Sequence, residues 1–138
     1  MADISLEAVT GKLNRVGYEA FIQALRQAKG AGNRNVELAH WLAQILQRRS
    51  TDIGLTAQHY GLDMARLASD IGGVIEGFRK NETEMPGVAN NVVDVLDRGW
   101  HYATLFFGET QIRLGHVLVA ALKSLELRRA LTAISKEF

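Results

Sequence analysis

The 138 residues contain no cysteine, a single proline, few aromatic side chains and almost no excess charge. Without cysteine there is no disulfide framework and no thiolate metal site, and a reducing cytoplasmic address is the natural expectation. Lys and Arg number 16 against 15 Asp and Glu. Such a balance leaves no basic patch for a phosphate backbone, and the short "QRRS" and "LRRA" do not supply one, so no nucleic-acid partner is expected. Nowhere do apolar residues run to the roughly 18 that a membrane span needs. The opening "MADISLEAVTGK" lacks a basic segment followed by an apolar core, so it does not read as a secretory leader. The length suits one soluble domain, 1–138, large enough to bury roughly 68–70% of its unfolded surface without metal or cross-link.

Strict apolar/polar alternation is also missing. Apolar residues recur at three and four instead, which predicts an all-α fold. A short helix is expected over about 5–12, capped by Asp3 or Ser5, and a second from Asn14 to about Ala28, ended by "GAGN". Asn35 precedes a third, to about Arg48. Thr51 opens a fourth through His59, and Asp63 a fifth to about Phe78. "RKNETEMPGVANN", 79–91, is polar with Pro86-Gly87 at its centre and reads as a linker. Val92, Val93, Leu96, Trp100, Ala103 and Phe107 mark the next helical face, and "LELRRALTAISKEF" a last helix.

What is present twice is one helix. Shifted by 76 residues, "IRLGHVLVAALK" (112–123) falls on "VELAHWLAQILQ" (36–47), matching His116 to His40, Leu114 to Leu38, Leu118 to Leu42 and Gly108 to Gly32. Two similar helical units stacked on each other are implied, neither able to bury its apolar face alone. The division expected is an extra N-terminal helix in 1–13, repeat 1 in 14–80, a linker in 81–91 and repeat 2 in 92–138.

Little of this sequence resembles catalytic machinery. The repeat places His40 and His116 in separate units, and no H-E-x-x-H or Cys/His spacing exists, so both are expected to hydrogen-bond backbone near a helix start. His59 and His101 are isolated. Gly11-Lys12 resembles the end of a phosphate loop, but Leu6 and Leu13 occupy positions where that loop needs Gly and Ser or Thr. No serine lies in G-x-S-x-G. Asp94 and Asp97 read as a solvated helix face, and Trp100, Tyr102, Phe106 and Phe107 by their helical spacing as core, with a binding patch as the alternative. No catalytic residue, cofactor or metal site is expected.

The helix from Asn14 has more apolar surface than a core requires. Around it, Gly17, Tyr18, Ala20, Phe21, Ile22, Ala24, Leu25 and Ala28 span roughly 200°, against the roughly 100° that faces a core. Tyr18, Ile22 and Leu25 form the surplus stripe, and Leu6, Val9 and Leu13 recur at i, i+3 and i+7 in front of it. Together these six could line a groove for a third helix. Alternatively the first helix itself covers the stripe.

"IRLGHVLVAALK" resembles the I-R-x-G-H-L-L-x-x-L-L stretch of the Clp N-terminal domain, the two-repeat helical module that precedes the ATPase rings of Clp disaggregases. "VELAHWLAQIL", "RGWHYATLFFGETQIRLGH" and "ALTAISKEF" are similar to further stretches of that family. "IRLGH", "FGE", "ISKEF" and the extra first helix point to its ClpV branch, from the AAA+ ATPase of type VI secretion. The resemblance implies a double-repeat fold and a binding role. The partner would be an amphipathic N-terminal helix of the large subunit of the contracted sheath, taken into a groove beside the extra helix. It also implies a hexameric parent, with the domain itself a monomer. Ala39 replaces the family glutamate before the first histidine, Trp41 the following leucine, and Leu114 a usual Ser or Thr. Alternatives are an N-domain of a general Clp chaperone binding adaptors or unfolded segments, and a structural module plugged by its own first helix.

Overall fold

Local hydrogen bonding by polar side chains sets the helix starts. The computed structural model describes residues 8, 10–48, 51–78, 80, 86–136 and 138. Asn14 accepts from the Gly17 N–H at 3.0 Å and opens α1, Arg15–Gly30. Thr51 accepts from Gly54 N–H to open α3, Asp52–His59, and Asp63 from Arg66 N–H to open α4, Met64–Glu76. Ser124 does the same through Leu127 N–H for α7, Leu125–Ile134. Each side-chain oxygen satisfies one of the amide groups that a helix start leaves without a partner. Between these lie α2, Leu38–Leu46, α5, Asn90–His101, and α6, Leu114–Lys123. Among the described residues the fold is all-α apart from two short parallel strands, β1, Asn35–Val36, and β2, Gly87–Val88.

These strands explain how the two units are joined. Val36, just ahead of α2, pairs with Val88, just ahead of α5. Leu13, just ahead of α1, bridges in parallel to Ile112, just ahead of α6. The two pairings are one contact made twice, because 13 corresponds to 88 and 36 to 112. In each, the segment before a repeat's first helix lies against the segment before the other repeat's histidine helix. The stretch expected to be a linker therefore holds β2, and Pro86 within it is buried. Residues 81–85 lie outside the described residues.

A second departure from sequence expectation concerns the repeat offset. The histidine helices superimpose at 76, but the helices before them do so at 75. The buried residues of α1 are Gly17, Ala20, Phe21, Ala24 and Ala28. Adding 75 gives Val92, Val95, Leu96, Gly99 and Ala103, which are the buried residues of α5 and its continuation. Repeat 2 therefore contains one additional residue. Three residues separate Ala28 from the left-handed Gly32, whereas four, Thr104 to Phe107, separate Ala103 from the left-handed Gly108. The additional residue sits in a π-helical turn, Tyr102–Phe106, in which the Phe107 N–H reaches back five residues to the Tyr102 carbonyl. One closing bond survives the insertion: Asn33 N–H to Ala28 O in repeat 1 becomes Glu109 N–H to Ala103 O in repeat 2. A π turn absorbs a single inserted residue in this way, without shifting the helices on either side.

One continuous core runs through both repeats. Trp41, Ile45, Leu67, Ile71, Leu96, Ile112, Leu114 and Leu127 are among its fully buried large side chains. The Trp41 indole donates to the Gly17 carbonyl at 3.2 Å and meets Phe21 edge-on at 6.0 Å. Gly17 also lets α1 lie close to repeat 2, since a Cβ there would stand 3.3 Å from Leu114 Cδ2 and 3.0 Å from Asn14 Oδ1.

Candidate peptide-binding face

Helix α1 turns its inner arc to the core, while Tyr18, Ile22 and Leu25 occupy one flank at i, i+4 and i+7. Tyr18 is 44% exposed, Ile22 half-buried, and Leu25 half-buried against core side chains. The stripe therefore faces partly outward, with Arg15 and Glu19 forming an exposed ion pair beside it at 2.9 Å. Leu13, expected on the opposite wall, is instead 5% exposed and part of the core. The reason is its backbone: the Leu13–Ile112 bridge turns it inward, as Val88 is held in the equivalent pairing. Leu6 and Val9 lie outside the described residues. Three of the six expected groove residues thus come together on α1, and one belongs to the core.

The histidines form no joint site. His40 Nδ1 accepts the Glu37 N–H at 2.9 Å and His116 Nδ1 accepts the Arg113 N–H at 3.0 Å, each closing the first turn of its helix. Since Nδ1 accepts, the proton lies on Nε2, which in His40 donates to Asn33 Oδ1 at 2.9 Å. Burial holds the His40 imidazole at a pKa of about 4, and burial also lowers that of His116. A side chain able to accept from the backbone amide three residues earlier is what both positions require. Among the described residues no three His, Cys, Asp or Glu side chains group to hold a metal ion.

Asp52 ties α3 to repeat 2. Its carboxylate accepts two bonds from Arg113, at 2.9 and 3.1 Å, and one from the Gly115 N–H at 3.1 Å. Those hydrogen bonds and the guanidinium charge hold its pKa below the usual carboxylate range, against an opposing effect of burial. Gly115 permits the approach, because a Cβ there would stand 3.3 Å from Asp52 Oδ2.

A second apolar surface lies in repeat 2. Leu105, Phe106 and Phe107 are 77%, 72% and 55% exposed, where the sequence reading placed both phenylalanines in the core. Trp100 and Tyr102 are half-buried. The π turn accounts for the difference, since beyond it an α-helical phase no longer predicts which side faces inward. The detectable signal was the count of four residues before Gly108 against three before Gly32.

No helix among the described residues is long and apolar enough to cross a membrane. No protein-family model matches the chain. The AAA+ ATPase ClpV1 of Pseudomonas aeruginosa is 39% identical over all 138 residues, which span 15% of that relative's length. A solved structure from work on the coevolution of the ATPase ClpV, the TssB-TssC sheath and the accessory HsiE protein superimposes with a TM-score of 0.94. It is 39% identical, and the match covers 99% of this chain and 85% of that one. A complex of a ClpV N-domain with VipB peptide shares the fold, with a TM-score of 0.78, 22% identity, and 99% and 88% of the two chains covered. Identity of this level across nearly the whole of both chains, in a double helical repeat closed by two histidine caps, places the protein in the family of ClpV N-terminal domains.

Proposed function

We propose that this domain recognises the type VI secretion sheath for a ClpV-type unfoldase. It takes an amphipathic N-terminal helix of the large sheath subunit onto α1, and so brings the parent ATPase to contracted sheath for disassembly. The observation that carries this reading is the stripe Tyr18, Ile22 and Leu25, which α1 leaves partly exposed on the flank of its core arc. Support comes from the shared fold of a ClpV N-domain that was solved with VipB peptide. Recognition of this kind places apolar anchors at i, i+3, i+4 and i+7 of the incoming helix against such a stripe. Residues 1–12 supply the other wall, Leu6 and Val9 included. The domain acts by binding, without catalytic residue, cofactor or metal, and ATP hydrolysis belongs to the rings of the parent. We expect the domain to be cytoplasmic and monomeric, and its parent hexameric.

Titration with a fluorescent peptide from the N-terminus of the large sheath subunit, with and without residues 1–12, tests this. Saturable binding that disappears on truncation is the expected result. No binding by a well-folded domain would overturn the proposal, and would leave a general Clp chaperone N-domain or a plugged module. Binding that survives truncation would put the site elsewhere on the repeats.

A further inference from the structure

The ridge Leu105, Phe106 and Phe107 is not demanded by the repeat architecture. Repeat 1 closes the same turn, between Ala28 and Gly32, with Lys29, Gly30 and Ala31. Repeat 2 inserts a residue, accepts a π turn, and sends three large apolar side chains outward. The ridge is also supported from behind: Phe106 stacks on Tyr102 at 5.1 Å and Phe107 on the His116 ring at 5.2 Å. Apolar groups that a fold neither buries nor needs mark an interaction surface, and π turns recur at functional sites.

Area and position select the occupant. Large apolar side chains present roughly 150–250 Å² each, so three that are half to three-quarters exposed offer about 400 Å². A stable pair of copies needs about 800 Å² per partner, so self-association through this ridge alone is too weak. An added contact for a segment already held nearby fits better, because the second contact then forms at high effective concentration. The chain just ahead of α1, the helix that carries the stripe, lies against the helix that runs into the ridge. The Lys12 carbonyl accepts the Ile112 N–H, and the Lys12 ammonium lies 5.3 Å over the ring of Trp100, on the helix that runs into the π turn.

We infer that the ridge is a second contact for the same sheath segment. It takes apolar residues that flank the amphipathic helix where that helix leaves the groove at its Lys12 end. The inference rests on the sheath-binding reading above.

The test compares a short peptide, the amphipathic helix alone, with two peptides extended by about ten residues at one end or the other. All three are titrated against the wild-type domain and against a Leu105→Ser/Phe106→Ser double variant. One extended peptide is expected to bind the wild type roughly tenfold tighter than the short one. In the double variant it should bind no better than the short peptide, whose own affinity stays within twofold. The inference is overturned if neither extension tightens binding, if the gain survives in the double variant, or if short-peptide affinity falls as well. Absence of short-peptide binding to the wild type would instead remove the sheath reading itself. Should the double variant lose its melting transition, Leu105→Lys alone must reduce the extended peptide's gain at least threefold.

Discussion

Lowering the pH from 7 to 5 should destabilise this domain mainly through His40. The ring is fully buried, with Nδ1 accepting the Glu37 amide and Nε2 donating to Asn33. A proton added to Nδ1 would face the amide hydrogen it now accepts, within a site that burial already makes hostile to charge. The folded-state pKa is about 4, against 6.5 for an unperturbed histidine. Between those values the unfolded chain binds more protons than the folded one, so stability falls as pH falls. Full stability from this group is present above 6.5 and is lost progressively down to about 4. At 1.36 kcal/mol per unit, the pH 7 to pH 5 step removes about 2 kcal/mol.

Other groups act in or near that window. The lowered His116 adds to the loss with the same sign. Burial raises the carboxyl pKa of Glu37, whose contribution is complete below 4.5 and lost as pH rises, so it opposes the trend. Asp52, with its depressed pKa, is lost only as pH falls below its ordinary 3.8. A difference measurement isolates His40. In urea unfolding at pH 7 and pH 5, wild type should lose about 2 kcal/mol more than His40→Asn, whose amide oxygen can still accept the Glu37 N–H. Equal losses in the two proteins would refute the reasoning.

Ile22→Asp should weaken sheath-peptide binding at least tenfold with about 1 kcal/mol of lost stability, whereas Phe21→Ala should cost roughly 3–5 kcal/mol as a buried aromatic. Equal destabilisation in thermal melts would abolish the division of α1 into a core arc and a binding stripe. Deleting Leu105 returns the whole of repeat 2 to an offset of 75 from repeat 1. The shortened protein should keep its helical circular-dichroism spectrum and melt within about 5 °C of the parent, a shift of roughly 1 kcal/mol or less; loss of cooperative melting would refute the single-insertion account. Asp52→Asn removes the Arg113 ion pair and weakens the bond to the Gly115 amide. A loss of about 1–2 kcal/mol is expected, and unchanged urea midpoints at pH 7 would show that this tie does not hold the repeats together.

Legibility in the sequence followed the range of the interaction. Asn14, Thr51 and Asp63 each bond an amide three residues on, and all three were readable as caps because the chemistry is local. His40 and His116 were readable for the same reason, each bonding an amide three residues back. The exchange of short strands between repeats was not readable, since two residues carry no alternation and their partners lie 52 and 99 positions away. That exchange buried Leu13, which helical spacing alone had placed with Leu6 and Val9. The π turn was hidden by the clarity of the repeat itself. Anchoring on the histidines fixes the offset at 76, and an alignment forced through that offset puts Asp97 opposite Phe21 and Gly99 opposite Gln23. Those mismatches look like divergence until burial shows that Leu96 and Gly99 occupy the places of Phe21 and Ala24. A fixed period therefore reveals a duplication but conceals an insertion within it. Here the insertion coincides with the ridge that the repeat does not need, which is why a surface that sequence periodicity assigned to the core became the strongest candidate for a second contact.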